Sequence, residues 1–445
     1  MVLQQSSPRI RLVVTVEHEN DIICAMKLAM ETTIDERRGR LWFLALVAAM
    51  GGFLFGYDTA VINGGEQQIQ SVWGLSSFMH GLVMSSALWG TVAGAIGGGR
   101  FTDAVGRKRA LVFVGILYFV SAAWSAVASG PVSLMVARFI GGLGVGASSI
   151  AAPVYIAEIS PANKRGRMTA LFQLNVVLGM VASQLVNWGL GGLGECAWRW
   201  MLGAEAVPAF VFVTLCPFLA ESPRWFAMRE NCGASVAGSA PSVPFFAKAN
   251  MRPILLAFAV AMFNQLSGIN AVLYFARRIF EMAGFSSSGA LAVAAGLTVV
   301  IGAGTFLGLS LIDRLGRKKL LVIGGIGYVV SLFACAAAFL LGAGTVAAAC
   351  IFLFIVSHAL GQGTVIWVFI AEIFPQELRA KGQSLGSFTH WFFAAMLTFA
   401  FPIMAANLSP ALIFGIFGTF MILHLLWAIF VVPETKGRPL EDIRL

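Results

Sequence analysis

The sequence has few charged residues: Asp, Glu, Lys and Arg make up only 11% of its 445 residues, whereas hydrophobic residues make up 58%. Because a soluble domain usually has about a quarter charged residues, this composition excludes a water-soluble protein. Cysteine is also sparse, and no two of the six cysteines have CxxC or CxxxC spacing. The sequence therefore gives no support for a metal site or a disulfide framework.

Catalytic patterns are missing as well. The sequence shows no nucleophile with its base, no metal-ligand cluster and no phosphate-binding glycine loop. The glycines of GGLGVG at 141–146 lie inside an apolar run, where glycine serves close helix packing. We therefore expect no enzyme, no cofactor and no metal. The formal net charge of +9 is spread along the chain, so it does not indicate a nucleic-acid partner.

Long apolar runs are abundant. Each is about twenty residues long, as a helix needs to cross a bilayer, and is bounded by charged or turn residues. The twelve predicted spans are 41–62, 78–99, 109–129, 132–156, 168–190, 200–219, 253–276, 289–312, 319–341, 345–371, 382–406 and 410–432. The sequence predicts an all-α integral membrane protein with twelve transmembrane helices in the lipid bilayer.

The basic residues indicate the orientation of these spans. Of 30 Lys and Arg residues, 26 fall in the tails and alternate loops, three (Arg199, Arg277 and Arg278) fall in the opposite loops, and Arg138 lies inside a span. By the positive-inside rule both termini are expected to be cytoplasmic. The expected location is the cell membrane, plasma or inner, with the chain crossing it many times.

The chain also repeats itself. YIAEISPANKRGR at 155–167 recurs as FIAEIFPQELRAK at 369–381, and DAVGRKRA at 103–110 recurs as DRLGRKKL at 313–320. Such repeats predict two pseudo-symmetric six-helix bundles, which rock around a central site. The expected domains are a cytosolic tail (1–40), an N-terminal bundle (41–226), a cytosolic linker (227–251), a C-terminal bundle (252–432) and a second cytosolic tail (433–445).

The amino-terminal tail has no signal-peptide pattern, because its apolar stretch is short and acidic residues follow it. Two alternatives stay open: a soluble tail, or a translation start at Met26 or Met30. The linker is rich in Ala, Ser, Gly and Pro and shows no sustained amphipathic helix pattern.

Acidic and basic residues recur at matched cytosolic helix ends. Surface ion pairs contribute about 0 to 1 kcal/mol each, yet several together can bias two conformations of similar free energy. We expect these pairs to form when the cytosolic side is closed and to break when it opens. Alternatively, the basic residues only set topology, while Gly106 and Gly316 make tight turns. The pairs are Asp103 with Arg107, Glu158 with Arg165, Asp313 with Arg317, and Glu372 with Arg379.

The repeated loop motifs resemble that of the major facilitator superfamily. Four further segments resemble signatures of its sugar porter family: RFIGGLGVGASSIAAPVYIAEISP (138–161), ESPRWF (221–226), QLSGINAVLY (265–274) and VPETKGRPLEDI (432–443). The resemblance implies the major facilitator fold and a monomer that imports a monosaccharide, hexose or pentose, with a proton by alternating access. Sugar porters usually have several short helices in the linker, which is shortened here, so we expect a less stable outward-facing state.

The seventh span carries polar side chains that need partners inside a membrane, namely Asn264, Gln265, Asn270 and Tyr274. On a straight helix Gln265 and Asn270 differ by about 140°. They face one ligand only if the helix breaks, and the Ser267-Gly268 pair is a plausible break.

By the resemblance, four residues contact the sugar: Gln173, Gln265, Asn270 and Trp367. Three more surround it with aromatic rings: Phe55, Tyr274 and Trp391. Amides that only bridge neighbouring helices are the alternative.

The chain departs from the family pattern at four of its pocket positions. Asn264 replaces a glutamine, Met180 and Ile301 replace amides, and His390 stands at an amide position on the eleventh span. His390 titrates near neutral pH, so contact with sugar and an influence on coupling are both open. A histidine bonded to a neighbouring helix is the alternative.

Asp58 and Arg138 are the charged residues placed inside spans one and four. Both are expected roughly 6 to 9 Å below the outer surface, at matching depths. A buried carboxylate beside a guanidinium stays ionised, and it takes up a proton if the pair separates. The resemblance supports proton coupling, since proton-driven sugar porters tend to carry Asp at this position. The alternative is a static ion pair.

Three other functions stay open on the sequence: a proton-independent sugar facilitator, a polyol or inositol porter, and a sugar sensor that binds without transport. Sensors of this kind usually signal through a long cytosolic tail, and only 13 residues follow Val432.

Overall fold

The structure is a computed structural model that describes residues 19–161, 165–226, 244–375 and 378–436. For residues 19–38, 165–167 and 249 it describes the backbone only. The predictions for the first 18 residues, for most of the linker and for the last nine residues lie outside the described residues.

The described residues form helices and connecting loops without any strand. The N-terminal half contains α1 (Glu19–Val72), α2 (Ser77–Val105), α3 (Arg107–Ala126), α4 (Pro131–Ile159), α5 (Arg165–Leu190), α6 (Ala197–Ala204) and α7 (Ala206–Leu215). The C-terminal half contains α8 (Met251–Leu266), α9 (Ile269–Tyr274), α10 (Ala276–Met282), α11 (Ser287–Leu315), α12 (Arg317–Leu340), α13 (Gly344–Leu360), α14 (Gln362–Ile373), α15 (Arg379–Asn407) and α16 (Pro410–Phe430).

Twelve segments of this described chain are long and apolar enough to cross a membrane, which confirms the predicted number. The first of them was predicted too short: it runs from Gly39 to Val72, ten residues beyond the predicted end at residue 62. Polar side chains such as Asn63 and Glu66 lie on this extension and are buried. The extension is helical because these side chains find partners inside the protein, so their polarity does not end the helix.

Two helices are broken in the C-terminal half. α8 ends at Leu266 and α9 begins at Ile269, and between them Gly268 has φ +88°, which favours glycine. The break predicted at Ser267-Gly268 is therefore present. A second break separates α13 from α14 at Gly361. Both breaks lie in the interior, where the freed backbone groups need partners.

The bundle has two ends. We call the end that carries Arg107 and Arg317, at the starts of α3 and α12, the motif end. The other, which carries Glu66 and Arg278, is the opposite end. Between the two ends α2 packs on α15 and α5 packs on α11, and these contacts join the halves along their length.

Glycine lets α1 and α5 approach closely. A Cβ atom added at Gly56 would lie 1.9 Å from the Val176 carbonyl oxygen, and one added at Gly179 would lie 1.9 Å from the Phe53 carbonyl oxygen. Backbone therefore packs on backbone, without a side chain between the two helices. This seam fixes the position of the turn of α1 that carries Asp58.

We expect Gly179→Val to destabilise the folded protein by about 1 to 3 kcal/mol or more, because the new side chain must push α1 away from α5. A thermal melt of the detergent-purified protein measures the effect. Gly97→Val is the matched control, since a Cβ at Gly97 meets nothing within 4 Å. Equal melting temperatures for the two variants would contradict the close seam.

Candidate functional site

A buried ion pair lies inside the N-terminal half. Arg138 on α4 bonds the Asp58 carboxylate on α1 through Nη1, and its Nη2 donates to the Asp58 carbonyl oxygen at 3.0 Å. Both residues are 2% exposed. The structure thus brings together the two residues that the sequence paired.

The span end from which the depth of Asp58 was measured was wrong, although the contact agrees with matching depths for the two residues. Because the first span continues to Val72, Asp58 lies 14 residues before its end, or about 21 Å along the helix. Arg138 lies only seven residues from the start of α4 at Pro131. The two side chains still meet because α1 extends beyond α4 at the opposite end.

Glu205 is a third charged member of this cluster that the sequence analysis missed. It lies between α6 and α7, is 2% exposed, and interacts with both Asp58 and Arg138. The available signal was a lone acidic residue inside the sixth apolar run, a position at which an ionisable group is costly. Glu205 therefore adds a second buried carboxyl group near the Asp58–Arg138 pair, while the hydrogen bonds of Arg138 go to Asp58.

The neutral polar residues of the seventh span form a network of their own. Gln265 accepts a hydrogen bond from the Asn270 side chain at 2.6 Å and donates to the Asn264 side chain at 2.9 Å. All three are buried. The break after α8 is what lets Gln265 and Asn270 meet.

Aromatic rings surround this network. The Gln265 amide nitrogen is 3.2 Å from both ring nitrogens of His390, whose ring centroid lies 5.2 Å from that of Trp367 and 4.8 Å from that of Trp391. The Phe55 ring of the other half lies 5.7 Å from Trp391. His390 therefore belongs to the polar wall, and Phe55 faces it from the N-terminal half.

The remaining predicted sugar residues differ in their surroundings. Gln173 is exposed and Trp367 is 38% exposed. Tyr274 is buried on α9 and interacts electrostatically with Asp58 and Arg138, so it lies beside the charged cluster. Met180 and Ile301 belong to the apolar packing around Phe55.

The charged motifs form two matching clusters at the motif end. Arg107 binds Asp103 and Glu158, and in the other half Arg317 binds Asp313 and Glu372. The predicted Asp103–Arg107 and Asp313–Arg317 pairs are therefore present, and the predicted Glu372–Arg379 pair was wrong. The Arg165 side chain lies outside the described residues, and no Glu372–Arg379 pair is found within the described part of the chain.

Two further glutamates complete these clusters. Glu221 accepts hydrogen bonds from the backbone N–H groups of Arg107 at 2.9 Å and Lys108, and Glu434 does the same for Arg317 at 2.9 Å and Lys318. A carboxylate at a helix N-terminus satisfies free N–H groups and the helix dipole. Each cluster lies within one half, so these ion pairs do not themselves bridge the two halves.

Hydrogen bonds that do cross between the halves lie at the opposite end. Arg278 on α10 donates to both carboxylate oxygens of Glu66 on α1, at 2.9 and 2.8 Å, and Glu66 is fully buried. Arg277 bonds Asn63 and the Gly64 carbonyl oxygen. These contacts hold α1 against α10, so no gap is left between these two helices at the opposite end.

Glu281 adds a contact to the same interface, since Gln67 donates to its carboxylate at 2.7 Å. Burial alone would raise the pKa of the Glu281 carboxyl, but hydrogen bonds from Gln67, Ser287 and Arg277 lower that pKa below its ordinary value. The stabilisation that this carboxylate gives to the folded protein is therefore fully present above its ordinary pKa. It is lost only when the pH falls through the lowered pKa.

Two six-helix halves, broken helices at the centre and buried polar groups between them define a membrane transporter, not an enzyme. The model of the family described as "Sugar (and other) transporter" matches residues 44–241 and 234–445. The chain belongs to this family.

Several relatives match over nearly the full length. The arabinose-proton symporter of Bacillus subtilis is 31% identical, with 91% of this chain and 94% of the relative covered. The glucose transporter GlcP of Staphylococcus epidermidis is 30% identical, with 90% and 96% covered. Among solved structures, the inward-open xylose transporter XylE of E. coli is 28% identical, with 91% of this chain and 99% of that chain covered, at a TM-score of 0.80. The fold is therefore that of the major facilitator superfamily.

We expect Arg278→Gln to open the opposite end, because it leaves the Glu66 carboxylate buried without its cross-half partner. A cysteine placed at buried Ala276 in a background without other accessible cysteines should react with a maleimide faster, on the order of tenfold.

Arg199→Gln is the control for this variant. Arg199 lies at the same end but bonds the Ala126 carbonyl oxygen within its own half. If both variants accelerate labelling equally, the effect is general loosening and the closing role of Arg278 is contradicted.

Proposed function

We propose that the protein imports a monosaccharide together with a proton by alternating access. The observation that carries the proposal is the buried Asp58–Arg138 pair with Glu205 nearby. It lies beside Tyr274 on α9, the short helix that also carries Asn270 of the neutral amides. The relatives named as sugar-proton symporters support the proposal.

The charged cluster has the chemistry of a proton site. Two carboxylates around one guanidinium leave an excess negative charge in a buried place, which a single bound proton removes. Because the two carboxyl groups interact, the proton belongs to the pair and not to one residue. Movement of α4 relative to α1 would separate Arg138 from Asp58 and so favour proton uptake.

The amide wall has the chemistry of a sugar site. Asn264, Gln265 and Asn270 offer uncharged donors and acceptors, and Trp367 and Trp391 offer faces for the apolar side of a sugar ring. In the free protein the amides bond to one another and to His390. A sugar binds here by taking over those hydrogen bonds with its hydroxyl groups.

One short helix connects the two sites. α9 carries Asn270 of the amide network and, one turn later, Tyr274, which interacts with Asp58 and Arg138. A shift of α9 on sugar binding therefore changes the surroundings of the proton site. This connection gives coupling a physical route through adjacent groups.

The distribution of basic residues supports a cytoplasmic motif end and cytoplasmic termini. With that orientation, the cross-half bonds of Arg277 and Arg278 close the external end. The likeness to an inward-open sugar transporter agrees with this state. Hence the ion pairs of the motif clusters coexist with a closed external end, and we propose that they stiffen each half instead of gating directly.

Substrate class is tested by uptake into proteoliposomes. A panel of labelled hexoses, pentoses and polyols is offered with and without an imposed pH gradient. Accumulation of one monosaccharide driven by the gradient supports the proposal. Equilibration without accumulation indicates a facilitator, and selective polyol uptake indicates a polyol porter.

We expect Asp58→Asn to abolish accumulation against a gradient while sugar exchange continues, because the amide keeps the shape of the side chain but cannot take up the proton. Counterflow and pH-driven uptake in the same vesicles separate the two activities. Glu195→Gln is the control, since Glu195 is an exposed acidic residue in the loop between α5 and α6. Undiminished pH-driven accumulation in Asp58→Asn argues against coupling at this residue.

We expect His390→Leu to raise the KM for sugar about tenfold, because Gln265 loses a polar neighbour and the wall loses a hydrogen-bonding group. Initial uptake rates at several sugar concentrations and pH values measure the effect. A changed pH profile at constant KM would assign His390 to coupling, and no change in either would leave it a packing residue.

A further inference from the structure

A buried histidine lies beside the Glu66–Arg278 ion pair at the opposite end. His80 is in the first turn of α2, and both His80 and Glu66 are 0% exposed. Nε2 of His80 lies 3.3 Å from Oε2 of Glu66. Within the described part of the chain, neither ring nitrogen of His80 has a hydrogen-bond partner. Because a buried nitrogen without a partner is costly, His80 gains little from its surroundings in this state.

The same carboxylate oxygen already accepts a hydrogen bond from a permanent cation. Arg278 donates to Oε2 of Glu66 through Nη2 at 2.8 Å, and to the other oxygen through Nε at 2.9 Å. A protonated His80 would therefore place a second positive charge at the atom that the guanidinium contacts. Like charges at this distance repel each other, and arginine keeps its proton. The closed opposite end therefore favours the neutral form of His80.

The charged groups around this contact come from α1 and α10. Beside Glu66 and Arg278 themselves, Arg277 and Glu281 of α10 interact with the Glu66 carboxylate. These two form an ion pair with each other at 3.1 Å, so their charges largely offset one another. The balance at His80 thus depends on one carboxylate and one guanidinium.

The other helices packed on α2 bring no charge to this level of the described structure. α15 contacts this turn of α2 through Phe399. On α4, Arg138 lies next to the residue that packs on Gly90, ten residues or about 15 Å further along α2 than His80. The stretches of α3, α4 and α15 towards the opposite end have no ionisable side chain: 119–130, 131–137 and 391–407.

Opening of the opposite end separates these partners unequally. Glu66 on α1 and His80 on α2 both belong to the N-terminal half, whereas Arg278 on α10 belongs to the C-terminal half. When α10 leaves α1, Glu66 loses the guanidinium but keeps His80 beside it. A neighbouring carboxylate favours the protonated imidazole, and an imidazole ordinarily binds a proton more tightly than a carboxylate does. His80 then replaces Arg278 as the cation beside Glu66.

We propose that His80 and Glu66 form a second proton-binding site, which Arg278 blocks while the opposite end is closed and which takes up a proton when that end opens. The proton adds to the free ring nitrogen of His80, and Glu66 stays ionised as its partner. Because the open state binds one proton more than the closed state, acid favours opening.

The proposal rests on the alternating access of the proposed function, but not on the proton site at Asp58. In the proposed orientation the opposite end is external. The acidic exterior that drives uptake would therefore also open the empty transporter towards the sugar.

The test follows the opposite end of the purified full chain in lipid nanodiscs, without substrate, from about pH 8 to about pH 5. Spin labels at Ser71 on α1 and Met282 on α10, both exposed positions, report the open fraction through their distance. All variants also carry Asp58→Asn, so that the proton site of the proposed function does not contribute. We expect the ratio of open to closed molecules to rise on the order of tenfold as the pH falls.

His80→Gln should remove this pH dependence, because its amide nitrogen lies near the position of Nε2 but cannot gain a charge. His358→Asn is the matched control. His358 is a buried histidine of the other half whose Nδ1 lies 2.7 Å from the Tyr328 hydroxyl oxygen. Its replacement should leave the pH dependence of the opposite end intact.

Arg278→Gln tests the competition without altering His80. Once the guanidinium is gone, His80 can hold the proton in both states, so the open fraction should be higher and should no longer rise at low pH. If Glu66 were the group that takes up the proton, acid would instead stabilise the closed state of Arg278→Gln, and the open fraction would fall.

The proposal is overturned if opening does not depend on pH while His80 is present, if His80→Gln keeps the dependence, or if His358→Asn removes it equally. A fall of the open fraction of Arg278→Gln at low pH overturns it as well. Loss of sugar uptake with pH-dependent opening intact overturns the proposed function and leaves this inference standing. Sugar accumulation driven by pH, with opening that does not depend on pH, does the reverse.

Discussion

The rest of the structure depends on the ion pair that compensates the buried guanidinium of Arg138. Arginine does not lose its proton in proteins, and an uncompensated charge at this depth costs several kcal/mol. Asp58 supplies the carboxylate that compensates this charge, and the ion pair holds α1 against α4. Glu205 places a second buried carboxyl group near this pair, at the junction of α6 and α7.

The candidate sugar wall follows the opposite principle, since it carries no formal charge. Its amides are satisfied by one another, and the break at Gly268 makes that arrangement possible. A ligand gains affinity only if its hydroxyl groups replace these internal bonds in full. A solute lacking a hydroxyl would leave a buried amide unpaired, which is the strongest form of discrimination that a binding site has. Met180 and Ile301 pack in the apolar cluster that Phe55 also contacts, so these two positions offer no hydrogen bonds.

Much of the fold was accessible from the sequence because its signals are local. The length of apolar runs gives the number of spans, the repeated loops give the duplication, and Ser267-Gly268 marks a break. Asp58 and Arg138 could be paired because each is a charge inside an apolar run. Glu205 obeys the same rule and was overlooked, whereas nothing local shows that Glu158 binds Arg107 or that Glu221 caps α3. Such contacts depend on which helix ends meet.

The end of the first span could not be inferred from the neighbouring residues in the sequence either. Asn63 and Glu66 look like the polar boundary of a membrane helix, yet they are buried because α10 of the other half supplies Arg277 and Arg278 as partners. A boundary inferred from polarity fails wherever another segment satisfies the polar groups. The same reasoning explains why the distance of Asp58 from the end of its helix was underestimated, since it was measured from that boundary.

The two halves have equivalent charged clusters at the motif end, but the polar groups at their centres differ. Arg107 and Arg317, each capped by a glutamate, build equivalent clusters at the motif end. At the centre, the N-terminal half holds a fixed positive charge with two acidic residues nearby, while the C-terminal half holds neutral amides and a hydrogen-bonded tyrosine and histidine, Tyr328 and His358. A fixed charge resists relocation in a low-dielectric interior, whereas neutral groups exchange partners at little electrostatic cost. It is therefore consistent that the breaks at Gly268 and Gly361 lie in the neutral half, and that the Asp58–Arg138 ion pair lies beside the unbroken seam of α1 and α5.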